Sequence, residues 1–332
     1  MNRTLHLALA NLFIAFFLLY AQGAIASQGV QVLRGPTPIP NGDAQSAQDI
    51  TLTNEKLAVA FAVETGAPWG VARGGILDGA VVEDEEIKLD HVTLIDFIPN
   101  NWSSWPTTYQ RVTVLKDTPE EAIIQTERDW GQCDLVTTYT LGQGSDRMHM
   151  KTVMTNTGDT AKEDILSGYV LWCTGGSHFG PAGLSGREEG SRQGTMSDWS
   201  VTYDQDWSIT IHGPYFDHFD YDGRDLYLKH TLQPGQSRTF EGWLQITPSG
   251  DLAPVLQAEI ERKESAHGSV QGTVSTPDGD PVNVPYIVAR KKGETYTWAR
   301  GDQGAFDMTL PAGDYELYAT AKGHAPSTVH KV

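Results

Sequence analysis

The chain has 332 residues, with 42 Asp and Glu against 24 Lys and Arg, so its formal net charge at pH 7 is −18. A surface of this sign repels a polyanion, which argues against nucleic acid as a partner. We interpret the excess of acid mainly as solubility outside the cytoplasm, and the length predicts two domains.

The N-terminal residues 1–26 have the pattern of an export signal. Arg3 supplies a positive charge, Leu5–Leu19 form an apolar core, and Ala24–Ala26 offer a small-x-small cleavage site. The apolar core is short for a bilayer span of about 20 residues, and no later stretch is apolar enough to cross a membrane. We therefore predict a periplasmic or secreted protein without stable membrane insertion.

Cys133 and Cys173 are the two cysteines of the chain. In an exported protein such a pair is expected to form a disulfide, here between the ends of two predicted strands. Closing a loop of roughly 40 residues would stabilise the fold by up to about 4 kcal/mol. The alternative is two buried free thiols.

The chain after the signal divides by composition. Residues 27–49, rich in Pro, Gly, Gln and Ser, predict an extended lead-in, because proline disfavours a helix or a central strand. Residues 50–248 alternate short β-runs with polar turns, which predicts antiparallel sheets packed face to face in an extended sandwich. The predicted strands include Ala122–Arg128, Asp134–Leu141, Met148–Asn156, Ile165–Trp172, Ser208–His212, Asp225–Leu232 and Ser237–Ile246.

One helix is predicted, within a connector at residues 249–267. Asp251 can cap it, Pro254 fits its first turn, and Arg262 and Lys263 suit its C-terminal end. Residues 268–332 then predict a second, smaller β unit with tight turns. The whole chain is thus predicted to be an all-β protein with one connecting helix.

The last segment resembles the carboxypeptidase regulatory-like domain, a small transthyretin-like β-sandwich. The resemblance rests on four runs, which are Val270–Val274, Gly301–Phe306, Leu310–Tyr315 and Ala321–Pro326. It implies a structural or adhesive role with no catalytic residues. Because little chain follows Pro326, we expect either one further short strand or an open edge, and a downstream catalytic domain or partner strand would suit that edge.

The larger domain more loosely resembles the galactose-mutarotase-like supersandwich of sugar-acting hydrolases, lyases and accessory modules. Residues 226–245 are the most similar part, and they match the closing hairpin of that fold. The resemblance implies a large antiparallel supersandwich and a polysaccharide or oligosaccharide partner. No lyase motif can be matched residue by residue.

Aromatic side chains in polar loops are candidates for sugar binding. Sugar rings present apolar C–H faces that stack on such rings, while Asn and Asp take the hydroxyl groups. Burial in the sandwich core is the alternative for each residue. The predicted ligand-binding residues are Trp102, Trp105, Trp199, Trp207, Tyr215 and Tyr221.

Two further sets of side chains are candidates for chemistry. General acid–base catalysis would need a titratable residue on a site wall, and His178, His212, His218 and the strand pair Lys151 and His149 are the candidates, against structural histidines as the alternative. Four aspartates close in sequence offer hard oxygen ligands for calcium, against a solvated acidic turn. They are Asp217, Asp220, Asp222 and Asp225.

Three functions fit these features. The favoured one is an exported, non-catalytic protein that binds carbohydrate, with no cofactor other than calcium. The second is a carbohydrate-active enzyme, such as a polysaccharide lyase or an epimerase-like protein. The third is the non-catalytic N-terminal part of a larger secreted metallohydrolase.

Overall fold

A computed structural model describes residues 29–71, 73–103, 110–179, 190–191 and 198–332. The predicted signal peptide and Trp105 lie outside the described residues. The fold is all-β and antiparallel, as predicted, with one α-helix among the described elements. That helix is too short and too polar to span a bilayer, and the described residues contain no other candidate.

The first sheet has ten strands. Along its main path the order is β1, β2, β3, β4, β6, β11, β17, β16 and β13, while β5 pairs with β4 alone. The strands are β1 (Gln31–Arg34), β2 (Ile50–Thr53), β3 (Leu57–Phe61), β4 (Ile76–Glu83), β5 (Glu86–Ile87), β6 (Val92–Ile98), β11 (Lys162–Cys173), β13 (Gly190–Ser191), β16 (His218–Asp220) and β17 (Asp225–Leu232).

The second sheet has eight strands in the order β12, β14, β15, β18, β10, β9, β8 and β7. Its strands are β7 (Gln110–Asp117), β8 (Glu121–Asp129), β9 (Cys133–Gly142), β10 (Arg147–Asn156), β12 (Ser177–Phe179), β14 (Trp199–Tyr203), β15 (Ser208–His212) and β18 (Ser237–Thr247).

The two large sheets face each other across one apolar core. Burial alternates along β8, β9 and β10, because successive side chains of a strand point to opposite faces. The core includes Phe61, Phe97 and Tyr169 from the first sheet and Tyr139 and Phe240 from the second. This packing joins the two sheets into a single sandwich.

One buried ion pair crosses this core. Arg128 of β8 donates from both terminal nitrogens to Asp96 of β6, at 2.5 and 2.6 Å. The two side chains are 1% and 0% exposed. The guanidinium and the carboxylate therefore depend on each other for compensation, because water reaches neither.

The small C-terminal unit has a two-stranded and a four-stranded sheet. The former joins β19 (His267–Thr273) to β22 (Ala305–Pro311). The latter has the order β21 (Glu294–Arg300), β20 (Tyr286–Lys291), β23 (Glu316–Thr320) and β24 (His330–Lys331). The edge after Pro326 is thus occupied by a two-residue strand, the first of the two expected arrangements.

Helix α1 (Ala253–Lys263) lies within the predicted connector, and Asp251 accepts a hydrogen bond from the Ala253 N–H at 2.8 Å. The helix lies at a seam between the sandwich and the small unit. One buried cluster spans this seam, with Trp199 and Val201 from β14, Leu252 and Val255 around the helix start, and Val288 and Trp298 from the small unit.

The extended lead-in contributes an edge strand and buried side chains to the fold. Residues Gln31–Arg34 pair with Ile50–Thr53 in antiparallel register. Ile39 and Ala44, from the proline-rich stretch, are buried against alanines of β3 and β4. Proline excludes a central strand but allows edge pairing and burial, so this arrangement agrees with the prediction, which did not name strand β1.

The predicted disulfide is wrong, since Cys133 and Cys173 are free thiols. Cys133 starts β9 of the second sheet. Lys162, at the start of β11, lies close to it, because the Lys162 amine donates to the Gly131 carbonyl at 2.8 Å. Cys173 ends β11, eleven residues beyond Lys162 in the first sheet. At about 3.3 Å per residue the thiols are roughly 35 Å apart, whereas a disulfide needs Cα atoms within about 7 Å.

Denatured but unreduced protein is expected to react at both cysteines. Treatment with an alkylating agent should add two alkyl groups by mass, and prior reduction should not change the result. A native sample should react far more slowly, because burial raises the pKa of both thiols. Alkylation that required prior reduction would contradict the free-thiol arrangement.

Candidate functional site

Four rings gather on the ten-stranded sheet, and we call them the aromatic surface: Trp69, Trp102, Trp172 and Tyr221. Trp69 touches Trp102 and Trp172, with ring centroids 5.8 and 5.5 Å apart, and Trp172 touches Tyr221 at 5.2 Å. Trp69 and Tyr221 are 59% and 45% exposed, which places them among the most exposed large apolar side chains described. Trp69 and Tyr221 are therefore open to solvent, whereas Trp102 and Trp172 are half-buried and pack against small buried clusters.

Each ring comes from a different part of the chain. Trp69 lies in a short 3₁₀ turn (Pro68–Gly70), Trp102 in the loop after β6, Trp172 near the end of β11, and Tyr221 in a second 3₁₀ turn between β16 and β17. Because β6, β11 and β17 are neighbours in the sheet, these segments meet over the three strands, where Trp102 and Trp172 pack against one buried cluster.

The backbone beneath three of the rings is left-handed. Trp69, Trp102 and Tyr221 have φ values of 57°, 57° and 52°. This conformation is uncommon for residues other than glycine and strained for bulky ones, and such strain concentrates at functional sites. The fold thus holds three large rings, two of them exposed to solvent, in an unfavourable backbone conformation.

The carboxylate of Asp225 lies directly under the rings. Its Oδ2 accepts hydrogen bonds from Trp102 Nε1 at 2.5 Å and from the Tyr227 hydroxyl at 2.8 Å, and its Oδ1 accepts from Trp172 Nε1 at 3.0 Å. The side chain is fully buried. Burial raises the pKa of Asp225 to about 7, although the three hydrogen bonds lower it in part.

A charged pair borders the aromatic surface. The Arg224 guanidinium lies 5.7 Å from the centre of the Trp172 ring, donates to the Tyr221 carbonyl at 3.0 Å, and is 3.8 Å from the Asp222 carboxylate. The opposite charges of Arg224 and Asp222 largely balance each other. The border is therefore polar but carries little net charge of its own.

The turn that carries Tyr221 is also tied to the second sheet. The buried Ser200 hydroxyl of β14 donates to the Gly223 carbonyl at 2.6 Å, and His178 Nε2 lies 2.8 Å from the same hydroxyl oxygen. Because the Ser200 hydroxyl proton points to the Gly223 carbonyl, His178 Nε2 carries a proton and donates it to the Ser200 oxygen. His178 Nδ1 is 2.9 Å from the Thr202 hydroxyl. His178, a predicted acid–base candidate, thus braces this turn from behind.

Two of the predicted ligand-binding residues, Trp102 and Tyr221, belong to the aromatic surface, but three others do not. Trp199 is 1% exposed in the seam cluster. Trp207 is 5% exposed and stacks on His91 at 4.3 Å. The Tyr215 hydroxyl accepts from the Tyr169 N–H and donates to the Leu226 carbonyl. For these three the core alternative holds, because they point between packed layers.

The other predicted acid–base candidates are scattered. His212 is buried between Glu259 and Gln245, at 2.7 and 3.0 Å. Burial alone would raise the pKa of Glu259, but hydrogen bonds from His212 and Arg262 hold it well below its ordinary value. His218 is bonded to Asp217 at 2.7 Å.

Lys151 and His149 share one face of β10, as predicted. Their nearest described neighbours are on the adjoining strand β18, where Lys151 is 3.5 Å from Glu241 and the His149 ring is 5.2 Å from that of Trp243. Both strands belong to the eight-stranded sheet, whereas the aromatic surface lies on the ten-stranded sheet. The structure does not bring the predicted candidates together into one acid–base site.

The four aspartates proposed for calcium do not converge either. Both oxygens of Asp225 accept hydrogen bonds from indole and phenol donors. Asp217 accepts from His218 and from the Lys229 N–H. Asp222 faces Arg224. Among the residues that the structure describes, no group of three or more His, Cys, Asp or Glu side chains is arranged to hold a metal ion.

Two members of the aromatic surface, Trp69 and Trp172, were missed from the sequence. Trp172 was assigned to a predicted strand, and the strand pattern alone gave no reason to separate it from core residues. Trp69 follows proline in the run Gly66-Ala67-Pro68-Trp69-Gly70. A tryptophan between proline and glycine cannot lie in a regular strand, and that turn chemistry was the available signal.

No family model matches this sequence, and it has no match among curated proteins. Similar solved structures include a TPR-domain-containing protein from Parabacteroides distasonis, with 11% identity over 68% of this chain and 56% of that one and a TM-score of 0.36. A protein described as an aldose 1-epimerase from Klebsiella pneumoniae has 12% identity over 71% of this chain and 86% of its own, with a TM-score of 0.39. A polysaccharide lyase has 12% identity over 84% of this chain and 46% of its own, with a TM-score of 0.34. The chain spans about half the length of the first and third of these proteins.

Proposed function

We propose that this chain is an exported carbohydrate-binding protein, and that the aromatic surface is its binding site. The observation that carries the proposal is a group of four rings in contact, three of them on left-handed backbone and two of them, Trp69 and Tyr221, exposed to solvent. A hydrophobic core gains nothing from solvent-exposed tryptophan on strained backbone. Binding a ligand with flat apolar faces gives that arrangement a purpose.

The chemistry of the surface favours a neutral oligosaccharide or polysaccharide. Pyranose rings offer C–H faces to the exposed rings of Trp69 and Tyr221, and the border of Asp222 and Arg224 offers an acceptor and a donor for hydroxyl groups. An anionic glycan would meet a chain of net charge −18, in which Arg224 is already paired. A neutral chain avoids that repulsion.

A binding role is also favoured over catalysis by the places of the titratable groups. His212 is enclosed with Glu259, and His178 braces a turn through Ser200. Asp225, the one group near the rings with a pKa close to neutral, is fully buried and engaged by three donors. We place the small C-terminal unit in a structural role beside this binding domain.

Replacing Trp69 by alanine is expected to weaken glycan binding most cleanly. Trp69 is the most exposed ring, so its removal should cost little folding stability. Loss of an anchoring tryptophan should weaken binding by about 2 kcal/mol, or roughly 30-fold. The measurement is a glycan array with the purified protein, followed by calorimetry of the best neutral glycan with wild type and Trp69→Ala.

The matched control is Trp243→Ala, which removes a half-buried tryptophan from the outer face of the second sheet. This variant should bind the glycan as wild type does. The proposal would be overturned if no neutral glycan bound at millimolar concentration, or if Trp69→Ala and Trp243→Ala had equal affinities.

A further inference from the structure

The buried Asp225 carboxylate is the common acceptor of two of the four rings. Trp102 and Trp172 reach it from different loops, one to each oxygen, with bonds of 2.5 and 3.0 Å. The indoles contact each other as well, with centroids 6.3 Å apart and planes at 83°. The angle between the rings is thus tied to one carboxylate that itself never meets solvent.

We propose that Asp225 is the positioning residue of the aromatic surface, and that its protonation rearranges Trp102 and Trp172 and so weakens glycan binding in acid. This inference rests on the proposed function for its second half. Its first half concerns the arrangement of two side chains and can be tested without any ligand.

The hydrogen-bond inventory gives the reason. An indole N–H can only donate, so it requires an acceptor, and an ionised carboxylate can only accept. With Asp225 ionised, Trp102, Trp172 and Tyr227 all donate to it and every group is satisfied. Charge-assisted bonds of this kind are about twice as strong as bonds between neutral groups.

A proton on Asp225 disturbs this arrangement at one oxygen. On Oδ2 the proton points towards Trp102 Nε1–H, a donor facing a donor, or towards the Tyr227 oxygen, which must then reverse its own hydrogen bond. On Oδ1 the proton meets Trp172 Nε1–H. In each case the neutral acid holds the indoles more weakly than the carboxylate does, and an unsatisfied buried donor is costly.

The charged and titratable surroundings keep this proton within reach of neutral pH. Asp220 of β16 repels the ionised form, and burial opposes it more strongly, which raises the pKa to about 7. Tyr227 and Tyr215 face the carboxylate from β17 and from the segment before β16, and burial raises the pKa of both hydroxyls above their ordinary value, so they stay neutral. Arg224 lies over the Trp172 ring, with Asp222 near it.

The first experiment follows the indole N–H resonances in protein labelled with isotope at tryptophan, across a pH range from about 5 to 9. Trp102→Phe and Trp172→Phe assign the two signals. We expect both to shift upfield together as the pH falls, with one shared midpoint. In Asp225→Asn both should lose this titration, whereas Tyr227→Phe should keep it. Two indole signals that ignore pH, or that titrate unchanged in Asp225→Asn, would overturn the proposal.

The second experiment measures affinity for the best neutral glycan across the same pH range. Wild type should bind about ten-fold more weakly below the shared midpoint than above it. Asp225→Asn should bind weakly and without pH dependence, and Trp243→Ala should follow wild type. If the indoles titrate as expected but no glycan binds, the proposed function is wrong while the positioning role holds. If glycan binds with no pH dependence, the regulatory half is wrong.

Discussion

Replacing Arg128 by methionine is expected to lower the free energy of unfolding by about 3–5 kcal/mol. The substitution removes the guanidinium that holds Asp96 by two short bonds and leaves a carboxylate in a core without water. An uncompensated buried charge must take up a proton or remain poorly solvated, and both cost stability. Urea unfolding followed by tryptophan fluorescence measures the loss.

The matched control is Arg111→Met, the same exchange at an exposed arginine. Arg111 bonds Glu127 on the surface, where ion pairs contribute about 1 kcal/mol or less. A double variant, Arg128→Met with Asp96→Leu, should recover much of the loss because no charge is left behind. Equal losses for Arg128→Met and Arg111→Met would contradict the view that Asp96 depends on Arg128.

Stability is expected to fall as pH rises from about 4 to about 7. Burial raises the pKa of Asp78 to about 6 and of Asp90 to about 7, while both ionise near 4 in the unfolded chain. Within this window the unfolded state releases protons that the folded state keeps, so the free energy of unfolding decreases as the pH rises. Above about pH 7 these groups are ionised in both states and the stability levels off.

Groups with lowered pKa act in the opposite direction at lower pH. In Asp49 burial raises the pKa, but hydrogen bonds from Thr65 and backbone amides outweigh it, and Glu259 behaves similarly through His212 and Arg262. Their contribution is present above about pH 4 and is lost in stronger acid. His230 also opposes the trend: burial lowers its pKa to about 4, so its contribution to stability grows as the pH rises from about 4 to about 6.5 and partly offsets the loss from Asp78 and Asp90.

Asp90→Asn tests the pH prediction with little structural change. Both bonds to Asp90, from the Gly79 and Val92 amides, go to Oδ1, which an asparagine oxygen can replace. The variant should match wild type near pH 4 and exceed it by about 1–3 kcal/mol near pH 7.5. Urea titrations at several pH values measure this, and a variant with the full wild-type slope would contradict the prediction.

Strand positions were largely predictable, because alternation of side chains is a local property of the sequence. Ser208–His212 and Asp225–Leu232 begin and end where the pattern predicted. The lead-in strand β1 was missed because its pairing with β2 depends on a partner some twenty residues away. The disulfide prediction failed for a related reason, since strand ends carry no local record of which sheet they join.

The aromatic surface was only half predictable. Trp102 stood in a polar loop and Tyr221 in an acidic turn, and both signals were local. Trp199 and Trp172 look alike in sequence, each at a strand end, yet Trp199 is buried beside the start of helix α1 and Trp172 is half-buried. Which face of a strand is covered is decided by packing between distant elements, and Asp225 becomes an anchor only through that packing.

The seam cluster bears on how this architecture can be inherited. Trp199 and Val201 belong to one part of the chain, Val288 and Trp298 to the other, and Leu252 and Val255 lie between them. Severing the chain at the helix would bare apolar faces on both pieces, and Trp298 would lose the Gly250 carbonyl that its indole bonds at 2.7 Å. Recombination could therefore not transfer the small unit to another protein without exposing this seam, and we expect the two parts to have evolved together.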